Sequence, residues 1–175
     1  MAAGPQAISI DDVLAGLRFL ADRSPTTTAE ESAGVFAQLS PYRDGGIFVG
    51  SWSGTSEWER HDSGDEIVMV LDGSTTIFFL DDDCERAATL GPREMVVVPR
   101  GTWHRFETPD RVTVLSVTPQ PTDHTPDRSH TRPPHRRLTC GGGRLSCDRV
   151  ASGTPASATR VTASVSARAA RSRSL

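Results

Sequence analysis

From Val35 to Val117 the chain is a succession of short apolar, β-branched segments, and almost every gap between them is a Gly- or Asp-containing turn. Among the turns are Arg43-Asp-Gly-Gly, Asp62-Ser-Gly-Asp, Asp72-Gly-Ser and Asp81-Asp-Asp. Nine strands are expected, at 35–39, 47–51, 57–61, 67–71, 75–80, 86–90, 95–99, 104–107 and 112–117. Frequent short strands separated by Gly and Asp turns predict an all-β fold, a sandwich or barrel of jelly-roll type. Ile67-Val-Met-Val-Leu71 and Met95-Val-Val-Val98 are apolar on both faces. One face fills the barrel, and the other needs cover from the N-terminal segment or a second copy, which points to a homodimer.

Before the strands, Ser9 precedes a segment, 10–22, in which Ile10, Val13, Leu14, Leu17 and Leu20 recur at helical spacing. The acidic pair Asp11-Asp12 suits the positive end of a helix, so an amphipathic helix packed on the body is expected there. Arg23-Ser-Pro then breaks it, and Thr27 followed by Glu30 has the spacing to cap a further short turn.

Charge divides the chain. Residues 1–119 hold nine Arg against nineteen Asp and Glu, whereas 120–175 hold ten Arg against three Asp. No aromatic residue follows Phe106, and the last segment is built mostly of Thr, Ser, Ala, Arg, Pro and Gly. Such a composition buries too little apolar surface to offset chain entropy, so 120–175 is expected to be a disordered, Arg-rich tail. The expected organisation is a helical extension over 1–34, a barrel over 35–119 and the tail beyond. Without aromatic interleaving or a fold signature, the tail's arginines are not read as a nucleic-acid surface. Cys84, Cys140 and Cys147 are too few for a disulfide framework, and Cys140 and Cys147 lie too far apart for a zinc pair. No apolar run approaches the roughly 18 residues of a membrane span. Together these features predict a cytoplasmic protein with no membrane partner.

Chemistry concentrates at two histidines. Alternation along 57–61 puts Glu59 and His61 on one face and Trp58 and Arg60 on the other. Glu66 opens the next strand after a short turn, and His104 arrives about forty residues later on a partner strand. Two imidazoles and two carboxylates can thus converge inside one end of the barrel, a donor set suited to Fe, Mn, Zn or Ni. Taken singly, a strand histidine is most often a hydrogen-bonded residue and an Asp-Glu pair a solvated turn; it is their joint spacing that points to a metal. His124, His130 and His135 fall in the tail and are not expected to bind metal. Trp52, Trp58 and Trp103 are read as packing or pocket wall.

These spacings resemble the two motifs of the cupin family. The first is matched by His61, Glu66 after four residues and Gly73 after six more; the second by Gly91, Pro99, Gly101 and His104. Glu59 stands where the family has its first His, and Thr108 where its second motif ends in Asn. The resemblance covers about 35–117. It implies a small cupin-type jelly-roll barrel with Glu59, His61, Glu66 and His104 as metal ligands, or His61, Glu66 and His104 alone where Glu59 turns aside, and open coordination positions for a small molecule. It implies a fold and a site rather than a reaction. Two functions follow as expectations: a metal-dependent oxidoreductase or isomerase acting on a small polar metabolite, or a non-enzymatic module that senses a ligand or a metal ion.

Overall fold

The computed structural model describes residues 6–81 and 84–131. Its elements run α1 (Ile10–Ala15), β1 (Leu20–Arg23), β2 (Phe36–Tyr42), β3 (Gly45–Thr55), β4 (Trp58–His61), β5 (Glu66–Gly73), β6 (Thr75–Asp81), β7 (Cys84–Leu90), β8 (Met95–Val98), β9 (His104–Pro119) and β10 (Thr122–Thr125), then a 3-10 turn at Arg128–Thr131. The fold is all-β, a curled sheet of jelly-roll type with one short helix.

β9 organises the sheet. Its first half lies antiparallel to β6 and touches β4 through the pair Glu59 and His104, while its second half runs between β3 and β5. Two strands expected at 104–107 and 112–117 are therefore one. The pairing of β3 with β9 shifts register between Trp52 and Gly54, opposite the exposed stretch 109–111. Pro109 has no N–H to give to a ladder, so the strand bulges there instead of ending.

Alternation sorts the side chains. On β5, Glu66, Val68 and Val70 are buried while Ile67, Met69 and Leu71 are half-buried on the other face. On β9, His104, Phe106 and Thr108 face inward. The core is made of Val68, Val70, Ile77, Val98, Phe106, Val112 and their neighbours, among them Trp52 and Leu20. Polar site residues thus share strand faces with the apolar core, at one end of it. Among the described residues no helix is long and apolar enough to cross a membrane.

Both ends differ from expectation. The helix expected over 10–22 is six residues long: Ser9 caps it by accepting from the Asp12 N–H at 3.2 Å, and Gly16 ends it. Leu20, read as part of its apolar stripe, is buried in β1, which pairs in parallel with β3. A helical spacing of leucines cannot hold the chain once Gly16 removes propensity and the edge of β3 offers backbone partners. The following cap is one residue later than expected, with Thr28 and Glu31 bonding each other's N–H groups at 2.8 and 3.2 Å.

The close approach of β1 needs a glycine. Gly54 has φ +96°, and a Cβ there would lie 2.2 Å from the Arg23 carbonyl oxygen. At the other end β10 lies within the segment expected to be disordered, paired antiparallel with β4 from Thr122–His61 to Thr125–Trp58. Asp123 anchors it by accepting from Arg60 at 2.6 Å. The expected tail beyond residue 131, with His135, Cys140 and Cys147, lies outside the described residues.

Candidate metal centre

Four residues on three strands make up the polar cluster. His61 closes β4, Glu66 opens β5, His104 opens β9 and Glu59 lies one inward position before His61. His104 is aimed by the turn before it: the Thr102 N–H bonds to the Pro99 carbonyl at 3.1 Å, and Gly101 takes φ +78°, a conformation only glycine adopts at low cost. The turn is held against β4 by the Gly101 N–H on the His61 carbonyl at 2.9 Å, and against the loop before β5 by the Arg100 N–H on Asp65 at 2.8 Å.

His61, Glu66 and His104 each present a donor atom, and these atoms lie within 4.8 Å of one another. Glu66 Oε2 is 2.9 Å from His104 Nε2 and 3.4 Å from His61 Nε2. All three residues are at most 4% exposed, and the imidazole centroids are 5.5 Å apart. Glu59 sits beside this group, its Oε1 3.3 Å from His104 Nε2 and its side chain 17% exposed.

Each donor is tied at its far atom. His104 Nδ1 bonds the Thr102 carbonyl at 3.1 Å, His61 Nδ1 meets Thr122 Oγ1 at 3.2 Å, and Glu66 Oε1 accepts from Thr118 Oγ1 at 2.6 Å. The Thr118 hydroxyl also meets Ser116 Oγ at 2.7 Å. His61 Nε2, turned to the centre, is buried with no hydrogen-bond partner, because Glu66 Oε2 lies off its bonding direction. A buried nitrogen without a partner costs free energy unless something occupies the space before it. Donors around one ion with bonds of about 2.1 Å sit about 3.0–3.4 Å apart. The two spacings from Glu66 Oε2 match, and the residues present fit a divalent ion.

The electrostatics agree with a cation at this point. Burial acts to lower the His104 pKa, but hydrogen bonds and charge from Glu59 and Glu66 outweigh it and raise the ring to about 10. Burial acts to raise Glu66, and is outweighed by the hydrogen bond from His104 and the nearness of both imidazoles, which bring it down to about 2. Without an ion, a protonated His104 supplies the positive charge that Glu66 requires.

A cavity of about 250 Å³ opens onto the cluster, with Glu59 and Glu66 in its wall beside Trp52, Phe36, Phe106 and Arg23. Of the tryptophans, Trp52 is pocket wall, whereas Trp58 is covered by Arg105 at 5.2 Å and Trp103 by Arg60 at 4.8 Å. The sequence reading missed Arg23, Thr118, Thr122 and His124. His124 stands opposite Glu59 on β10, lines the cavity and pairs with Glu57 at 3.1 Å. Only a cross-strand register could have placed these four, although the alternation of Thr122 with His124 was visible.

Comparison with known proteins finds the family described as Cupin domain over residues 52–118. An uncharacterized Bacillus subtilis protein, YdbB, is 29% identical over 79 residues, covering 45% of this chain and 67% of its own length. Among solved structures, a cupin-2 domain protein from Shewanella frigidimarina is 24% identical over 49% of this chain and 79% of that one, with a TM-score of 0.43. A hydroquinone 1,2-dioxygenase in complex with Cd2+ and 4-hydroxybenzonitrile is 18% identical over 48% and 63%, with a TM-score of 0.43.

Proposed function

The chain carries a cupin domain over residues 52–118, and from that premise we propose that it is a metal-binding cupin protein that acts on a small polar metabolite at a divalent ion inside the barrel. His61, Glu66 and His104 are the proposed ligands, with Glu59 completing the set from the cavity side. One observation carries this reading: three buried donors point at a common centre while the opposite atom of each is held by a hydrogen bond. Fixing the far atom selects the ring orientation and raises ligand basicity, the arrangement that supports metal binding.

A bound Fe, Mn, Zn or Ni ion would supply Lewis acidity or, if redox-active, electron transfer toward a ligand in its open positions. The protein's own residues do the rest. Thr118 holds the outer oxygen of Glu66, the Thr102 carbonyl fixes the His104 tautomer, and Trp52 and Phe106 form an apolar wall of the cavity.

Calorimetric titration of zinc into metal-free full-length protein is expected to saturate at one ion per chain, and His61→Ala is expected to lose that binding. Equal binding by the variant overturns the assignment. The second reading, a ligand- or metal-sensing module, rests on a cavity too small for more than a compact ligand. It predicts a metal-dependent ligand affinity with the ligand recovered unchanged, whereas an enzyme returns product. A cytoplasmic setting belongs to the proposal. So does a homodimer, supported by Met95 and Val97 on the outer face of β8, 47% and 49% exposed, and tested by light scattering in solution.

A further inference from the structure

β1 lies outside the segment that matches the cupin domain, yet it places Arg23 in the cavity wall. The guanidinium stacks on Phe36 at 5.5 Å and Trp52 at 5.6 Å from the ring centroids. Burial lowers its pKa, and the charges of Glu59 and Glu57 act against that. Neither carboxylate neutralises it by contact. Glu59 is engaged by His104 at 3.3 Å and Glu57 by His124 at 3.1 Å, and the Arg23 guanidinium has no hydrogen bond or ion pair among the described residues. A second donor in the same wall is also unanswered: Trp52 is 4% exposed and its indole N–H has no acceptor.

A partly desolvated guanidinium without an anion costs free energy, as does a buried N–H without an acceptor. The fold nonetheless holds both in place. Gly54 lets β1 pack against β3 at the position of Arg23, and the Asp22 N–H bonds Ser53 Oγ at 3.0 Å to keep it there. Once Glu59 and Glu66 balance a divalent ion, the guanidinium is the charge left over in the cavity. Its planar donors suit a carboxylate, which accepts two parallel hydrogen bonds. The remaining walls, Trp52, Phe36 and Phe106, suit a flat apolar body. At about 250 Å³ the volume lies just below the roughly 300 Å³ at which ligand pockets begin, enough for one ring and few substituents.

We propose that this cavity selects small monocarboxylates with a flat apolar body, and that Arg23, from the strand outside the cupin segment, is the residue that binds their carboxylate. The inference rests on the reading of the same cavity as a metal-bearing ligand site.

The test uses zinc-loaded full-length protein, with benzoate as the probe and benzamide as its uncharged counterpart, followed by calorimetry and by quenching of tryptophan fluorescence. Metal content is measured separately on each sample. Wild type is expected to prefer benzoate to benzamide by at least about tenfold, and Arg23→Met to lose that preference while keeping its zinc and its benzamide affinity. Arg23→Lys, which keeps the charge without the planar fork, is expected to fall between them. Retained benzamide binding shows that the variant cavity is folded. If the zinc-loaded wild type fails to prefer benzoate, or Arg23→Met keeps the preference, the assignment of Arg23 is wrong while the metal site stands. If no zinc is retained but benzoate still binds through Arg23, the metal reading fails and the carboxylate site survives.

Discussion

Thr118→Val isolates the support of the proposed ligand Glu66. The substitution keeps shape and removes one hydroxyl, which donates to Glu66 Oε1 at 2.6 Å and meets Ser116 Oγ at 2.7 Å. Thr118 is 9% and Glu66 4% exposed, so water cannot readily replace the lost donor. A hydrogen bond to a buried carboxylate is worth about 1.5–3 kcal/mol, and the metal-free protein is expected to lose stability of that order in guanidinium denaturation. Removing the outer partner of a metal ligand weakens affinity about 10–100-fold, which is the loss expected in a chelator-competition titration of zinc. Ser116→Ala leaves the bond to Glu66 intact and is expected to cost no more than a few-fold. If Thr118→Val loses stability yet binds zinc within about threefold of wild type, then Glu66 does not present its other oxygen to the ion.

The pH dependence follows from two shifted groups. Stabilisation from His104 is complete below its ordinary 6.5 and is lost as pH rises through about 10; that from Glu66 is present above 4.5 and is lost as pH falls through about 2. Metal-free protein is thus expected to draw most stability from this pair between 4.5 and 6.5, and a flat denaturation midpoint from pH 2 to 10 contradicts it. Because an ion must displace the proton on His104, zinc binding at pH 7 is expected to release about one proton per ion, read from calorimetry in buffers of different ionisation enthalpy. Gly54→Ala forces a Cβ against the Arg23 backbone at φ +96° and is expected to cost roughly 2 kcal/mol or more; unchanged thermal stability argues against the packing of β1. Ile77, fully buried in the core, is expected to cost about 2–5 kcal/mol on truncation to Ala, measured by denaturant unfolding.

Strands with a buried face and a Gly or Asp turn were legible because side-chain alternation and turn chemistry are local. Glu66 with Val68 and Val70, and His104 with Phe106, follow from that rule alone. The convergence of His61, Glu66 and His104 was legible from alternation and from their joint spacing, which also resembles a family's motifs. β1 was not, because Leu17 and Leu20 fit a helical stripe as well as a strand, and the competing edge of β3 lies about thirty residues away. β10 was hidden by the polar, Arg-rich composition of the residues C-terminal to it. Its four residues, Thr122 to Thr125, are held by pairing with β4 and by Asp123 on Arg60. Arg23, Thr118 and Thr122 therefore escaped, since each reaches the site through long-range register.

Zinc-edge X-ray absorption on full-length protein, purified without a metal-affinity tag and loaded with zinc, tests the shared ion most directly. One ion per chain is expected, with two imidazole nitrogens and carboxylate oxygen at about 2.0–2.2 Å, and loss of the imidazole signal in His61→Ala with His104→Ala. A first shell containing sulfur, a shell of water alone, or an unchanged spectrum in the double variant contradicts it.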